Sequence, residues 1–112
     1  NFVTEPEGEP SAVLIRGAEA VTNGDIIAEN RFGCKMAEMT AYQRKNFLNG
    51  PGKLCRGLDL TRAQNGLNLT APDSGLYVCD GPAPGHIQVG KRIGIDYAQE
   101  AADFPWRFWT EV

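Results

Sequence analysis

The chain reads as an α+β protein, with helices gathered in its first half and a curved, mostly antiparallel sheet supplied mainly by its ends. Three observations carry that reading. Helical spacings with capping residues fall between Thr22 and Leu58. Apolar residues at a spacing of two, broken by Gly and Pro, mark the flanks. A length of 112 residues suits one domain or part of one.

The elements follow in order. "NFVTEPEGEP" starts extended and becomes an acidic, Pro-containing loop. "SAVLIRGAEAV" reads as a buried strand, apolar from Ala12 to Ile15 and interrupted by Arg16. A charge at the end of a buried strand must be paired or must point into a functional cavity. "TNGDIIAENRFG" has the form of a short helix, with Thr22 or Asn23 as cap and Gly33 as stop. "MAEMTAYQRKNFLNG" places Met36, Met39, Ala41, Tyr42 and Phe47 at helical spacings, with Gly50 as the C-cap.

The stretch "NGPGKLCRGLDLTRAQNGLNL" opens a further helix. Pro51 suits a first turn, where its missing N–H is of no consequence. Leu54, Cys55 and Leu58 form one apolar stripe toward the core, with Lys53 and Arg56 off it. The Gly50-Pro51-Gly52 segment has two readings: a tight turn between helices, or a helix start open to an anion. Asn65-Gly66 marks a turn. "GLYVCDG" alternates, and "GHIQVGKRIGIDYA" sets Ile87, Val89, Ile93 and Ile95 partly on a period of two. "PWRFW" closes the chain as an aromatic strand, in which Trp106, Phe108 and Trp109 read as core residues, with stacking on bases the alternative.

Bulk properties narrow the partners. No apolar run approaches the ~20 residues that span a bilayer, and no secretory segment is visible, so no membrane partner is expected. Cys34, Cys55 and Cys79 are odd in number and lack a CxxC spacing, and His86 is the lone histidine. The expectation is reduced core thiols, no metal site and no cofactor. His86 reads as a surface or strand residue, or as a phosphate contact. The net charge of −3 is unevenly distributed. Residues 1–30 hold one basic and six acidic side chains, residues 31–67 seven basic and two acidic, and residues 68–112 three basic and six acidic. A basic middle third fits a phosphate-facing surface as well as a solvated helical face, and Arg44 and Lys45 share that ambiguity.

"AVLIRGAE", "GPGKLCRGL", "AQNGLNL", "KRIGI" and "PWRFW" occur here in the order and rough spacing of one family. The chain resembles the C-terminal half of the alkyladenine (3-methyladenine) DNA glycosylases, over nearly all of its length. That resemblance implies a single α+β domain portion over 1–112, with a curved sheet similar to a formyltransferase C-terminal barrel. It implies excision of alkylated purines such as 3-methyladenine and 7-methylguanine, or of the deaminated purine hypoxanthine, after base flipping.

The resemblance also implies roles. Arg16 matches the arginine that helps hold the nucleophilic water and the adjacent phosphate, and Ile93 the position whose backbone carbonyl accepts a bond from that water. Asn1 matches an asparagine lying against the flipped purine. Lys53, with Gly50 and Gly52, matches the helix start that faces the DNA backbone. The family's glutamate base, its sandwiching tyrosines and its tyrosine wedge belong to the N-terminal half and have no counterpart here. Glu5, Glu7 and Glu9 match no family site. The expected partners are damaged double-stranded DNA and an N-terminal fragment of the same protein, without which the chain is not a competent glycosylase. A non-catalytic nucleic-acid-binding module is the alternative. A bacterial cytoplasm, or a nucleus in a eukaryote, is the expected location.

Overall fold

The computed structural model describes residues 1–111, in two compact units, 1–78 and 79–111. In the first unit, β1 (Phe2–Val3) pairs antiparallel with β2 (Ala12–Val13), Phe2 opposite Val13 and Val3 opposite Ala12. Thr4 prolongs the ladder: its N–H donates to the Ser11 carbonyl and its hydroxyl to Ser11 Oγ, both at 3.1 Å. The buried strand expected from Ala12 to Ile15 is not formed. Only Ala12 and Val13 pair, and Val13, Leu14 and Ile15 are 51%, 41% and 47% exposed. Among the described residues β2 has one neighbour, β1, and burial of a strand needs a covering layer as well as a partner.

Helix α1 (Gly24–Phe32) starts after Asn23 and stops at Gly33, whose φ of 70° and N–H bond to the Glu29 carbonyl close its last turn. The next stretch is divided. Met36–Glu38 is a 3-10 turn and Met39 is extended. Thr40 then begins α2 (Ala41–Lys45) with a reciprocal cap, its hydroxyl accepting the Gln43 N–H and Gln43 Oε1 accepting the Thr40 N–H. A new cap inside the sequence splits what the apolar spacing read as one helix. Gly50 accordingly is the N-cap of α3 (Pro51–Gly57) and not the C-cap of the preceding helix, which ends at Asn46.

The core of this unit is small: Ile27 of α1, Leu48 of the α2–α3 link and Leu54 of α3, with Ala20 and Phe47 packed against them. The stripe expected on α3 is corrected, for Leu58 is 40% exposed and Cys55 is exposed. The face that meets α1 is Leu54 and Gly57, both buried, three residues apart. A Cβ at Gly57 would lie 2.8 Å from Leu48 Cδ2 and 3.0 Å from Ile27 Cγ2, so a methyl there forces those side chains to shift. Nor are the cysteines core thiols: Cys55 and Cys79 are exposed and Cys34 is half-buried.

Beyond α3 the chain turns at Asp59, makes a 3-10 turn at Arg62–Gln64 under a Thr61 cap, and reverses at Gly66, with φ of 87°, as Asn65-Gly66 predicts. "GLYVCDG" forms no strand; Pro72–Ser74 is a 3-10 turn and Val78 donates a single bond to the Leu69 carbonyl at 2.7 Å. A period of two alone does not make a strand without a pairing edge.

In the second unit, β3 (Gln88–Gly90) pairs antiparallel with β4 (Arg107–Trp109), Val89 opposite Phe108. The strand expected to continue through Ile93 and Ile95 stops at Gly90. Gly94 takes φ of 74°, and a kinked 3-10 segment, Asp96–Asp103, follows. The indole of Trp109 lies across Gly90 and under the Arg107 guanidinium, at 4.0 Å from the ring centroid. Trp106 and Phe108, read as core residues, are 58% and 65% exposed. A two-stranded ribbon has two faces, and this one covers only the Trp109 side.

The architecture is therefore α+β, with helices in the first half as expected. The expected curved sheet is two separate two-stranded ladders, and no closed barrel is present among the described residues.

Replacing Gly57 with Ala is expected to destabilise the first unit by about 1–3 kcal/mol, despite Ala's better helix propensity. Urea unfolding followed by circular dichroism measures it; unchanged stability would show that Leu48 and Ile27 yield freely.

Candidate functional site

Gly50, Gly52 and Lys53 lie where the link from α2 opens α3, and the backbone that follows Arg16 packs on that link. Arg16 is exposed, just past the β2 segment. The backbone that follows it is fixed: the Ala18 N–H donates to the Leu48 carbonyl at 3.1 Å. At Gly17 a Cβ would stand 2.9 Å from that oxygen and 3.5 Å from Asn49 Cα. Arg16 is thus tethered one residue away from the segment that opens α3. This juxtaposition of the Leu-Ile-Arg segment with the Gly-Pro-Gly-Lys segment is a product of the fold.

Gly50 is extended, its carbonyl accepts the Leu54 N–H at 2.8 Å, and Pro51 occupies the first turn. Gly52 is exposed, with open space where a Cβ would stand. Lys53 does not reach straight outward. Its stem lies against Gly50, and its ammonium donates to Asn49 Oδ1 at 3.1 Å and to Asn46 Oδ1 at 3.5 Å. Each asparagine is anchored in turn: Asn46 Nδ2 donates to the Tyr42 carbonyl and Asn49 Nδ2 to the Lys45 carbonyl, both at 2.9 Å. The Tyr42 carbonyl also accepts the Asn46 backbone N–H, at 3.1 Å, whereas the Lys45 carbonyl lies at the end of α2, where backbone donors run out.

Arg31 holds the same link from the side of α1. Its Nε donates to the Phe47 carbonyl at 2.9 Å and its Nη2 to the Asn46 carbonyl at 3.0 Å, while the guanidinium lies over Phe32 at 4.4 Å. Asn30 adds a bond from Nδ2 to the Gly57 carbonyl at 2.9 Å. Beside α3 an open depression of about 550 Å³ is lined by Gly52, Cys55, Arg56, Asn30 and Thr61, among others.

Asn1 is exposed at the start of β1's edge. Ile93 belongs to the second unit, 53% exposed, in the bend before Gly94 and not in a strand. Among the described residues its carbonyl accepts no backbone hydrogen bond. The fold thus packs Gly17 and Ala18, which follow Arg16, on Leu48 and Asn49, which precede Gly50, with Asn1 elsewhere in the same unit. Arg44, Lys45 and His86 are exposed, and Arg44 Nη2 donates to the Met36 carbonyl at 2.8 Å. Among the described residues no group of three metal-binding side chains is assembled, and no helix is long and apolar enough to cross a membrane.

Sequence reasoning counted Arg31 only as charge and passed over Asn46, Asn49 and Gly17. No local signal marks the last three. Arg31, in the last turn of a helix followed by a Gly stop, is at least where a cation finds free carbonyls, though here they belong to the α2–α3 link.

Residues 1–112 match the family described as methylpurine-DNA glycosylase. Curated relatives include a "Putative 3-methyladenine DNA glycosylase" of Clostridium novyi, 45% identical over 111 residues, covering 99% of this chain and 54% of the relative. Proteins of the same name from Desulfitobacterium hafniense and Methanocella arvoryzae are 45% and 43% identical, with 54% and 52% of their lengths covered. No solved structure matches significantly. The chain is a member of the methylpurine-DNA glycosylase family. It spans about half the length of the curated relatives it matches.

Arg31→Lys keeps the charge but loses the fork that serves two carbonyls at once. It is expected to lower unfolding stability by about 1–2 kcal/mol and to loosen the α2–α3 link. Hydrogen exchange at Leu54 and Leu58 reads the second effect; protection equal to that of the parent protein would refute it.

Proposed function

We propose that this chain forms part of a base-excision repair enzyme that hydrolyses the N-glycosidic bond of alkylated or deaminated purines in double-stranded DNA. The observation that supports the reading is the tether of Gly17–Ala18 to Leu48–Asn49, which fixes the backbone after Arg16 on the link leading into α3, in a family-matched chain. Chemistry on a base inside a duplex requires the nucleotide to be flipped out, and that requires a grip on the backbone next to the pocket. Gly50, Gly52 and Lys53 supply the grip in this reading, and open space at Gly52 lets a phosphate approach the backbone.

Bond cleavage leaves positive charge on the sugar, and water must be aimed at C1′. Arg16 orients that water and holds the adjacent phosphate, and Asn1 lies against the extruded purine. A carboxylate general base is still needed. Glu5, Glu7 and Glu9 are exposed in the loop between β1 and β2, a poor setting for a base that must face a dry pocket. The base, in this proposal, comes from residues beyond the matched half of the relatives' length, paired with this chain as a separate fragment or as part of one polypeptide. Exposure of Val13, Leu14 and Ile15 favours such a partner, and it equally favours the second reading, a nucleic-acid-binding subunit without catalysis of its own.

The isolated chain is expected to release neither 3-methyladenine nor hypoxanthine from lesion-bearing duplexes, and to gain release when the complementary fragment is supplied. Release by the chain alone at an enzyme-like rate would overturn the first expectation; none after reconstitution would leave the binding-subunit reading. In the reconstituted protein Arg16→Ala is expected to reduce the single-turnover rate by roughly 10²–10⁴-fold with a much smaller loss of duplex affinity. Equal loss in both would reduce Arg16 to a phosphate ligand.

A further inference from the structure

Lys53 is held in an unusual way for a cation of a basic segment. Among the described residues the one ion pair is Lys91 with Asp103, so no carboxylate neutralises Lys53. Its two acceptors are carboxamide oxygens, those of Asn46 and Asn49. Both carboxamides are fixed by their own N–H bonds to α2 carbonyls, and the Asn46 and Phe47 carbonyls are fixed by Arg31. The lysine is half-buried, its stem laid along Gly50.

Neutral acceptors and charged ones act differently on an ammonium. A carboxylate would hold Lys53 and cancel its field; a carboxamide holds it and leaves the charge whole. An ammonium has three donors, and two are engaged here. The third is available to an incoming oxygen. Lysine also carries large rotamer entropy, part of which is lost whenever a free side chain is immobilised on a ligand. A side chain already ordered loses less.

We infer that Asn46 and Asn49 are positioning residues for Lys53: they hold its ammonium against the Gly50 turn without neutralising it, leaving one N–H for a phosphate oxygen. The inference rests on the reading that Lys53 faces the DNA backbone. The pair makes the end of α2 a socket, and the charge in it is set by the absence of acid from both asparagine positions.

Two measurements test the socket. The first uses the isolated chain without DNA: side-chain ammonium NMR of Lys53. Asn46→Ala with Asn49→Ala is expected to speed exchange of its Nζ protons while leaving backbone signals of α3 in place. Unchanged exchange overturns the proposal. The second measures binding to a short undamaged duplex as a function of salt. Lys53→Ala and Asn49→Asp are each expected to make the log–log slope shallower by about 0.9, one removing the charge and one neutralising it. The alanine pair is expected to keep the slope and weaken binding by roughly three- to tenfold, by freeing the side chain.

A shallower slope for Lys53→Ala with a parental slope for Asn49→Asp and parental affinity for the alanine pair overturns the positioning role alone. A parental slope for Lys53→Ala overturns the phosphate reading of Lys53 and the proposal with it. Asn46→Asp serves in the same role if Asn49→Asp does not fold.

Discussion

Leu48 is engaged at both its ends. Its side chain fills the contact between α1 and α3, against Ile27, Leu54 and the bare Cα of Gly57, and its carbonyl accepts the Ala18 N–H at 3.1 Å. A link between helices is usually the most adaptable part of a fold. This one is locked on three sides: Arg31 bonds the two carbonyls before Leu48, Ala18 bonds its own, and Asn49 bonds back to Lys45. The position of Arg16, the start of α3 and the placement of Lys53 all depend on it. A core of so few residues leaves the first unit little reserve, so polar bonds to the α2–α3 link carry an unusual share of its definition.

The same economy explains what the chain leaves uncovered. Leu14 and Ile15 are apolar and half exposed beside the β2 ladder, while Phe108 and Trp106 are exposed around β4. Exposed large apolar groups that lie together mark surfaces made to be covered. The chain spans about half the length of its curated relatives, and a strand burying Ala12 to Ile15 needs a second edge partner that is not among the described residues. Sequence hydrophobicity therefore reads these segments as interior, and the geometry of this half leaves them at the surface.

Local chemistry was legible wherever the physics was local. Gly33 ends α1 because a left-handed residue closes a helix; Asn65-Gly66 turns because Gly66 takes φ of 87°; Pro51 sits in the first turn of α3 because that turn needs no N–H. Errors arose where a pattern depends on distant partners. Alternation through "GLYVCDG" and "KRIGI" did not become strand, since a ladder exists only when an edge is offered. Thr40 and Gln43 split a helix that spacing alone had joined, although their capping pattern stood in the sequence.

By itself the sequence determined the family resemblance, the α+β class, the helical first half with its Gly33 stop and the basic middle third. These rest on residue identity and on contacts within a turn or two of chain. Only tertiary structure decided that Gly17 packs on the Leu48–Asn49 backbone and that Gly57 rather than Leu58 meets α1. Each of these depends on residues brought together by the packing of α1 on α3 around Leu48. No propensity encodes such a meeting, because its energy exists only once both sides have arrived.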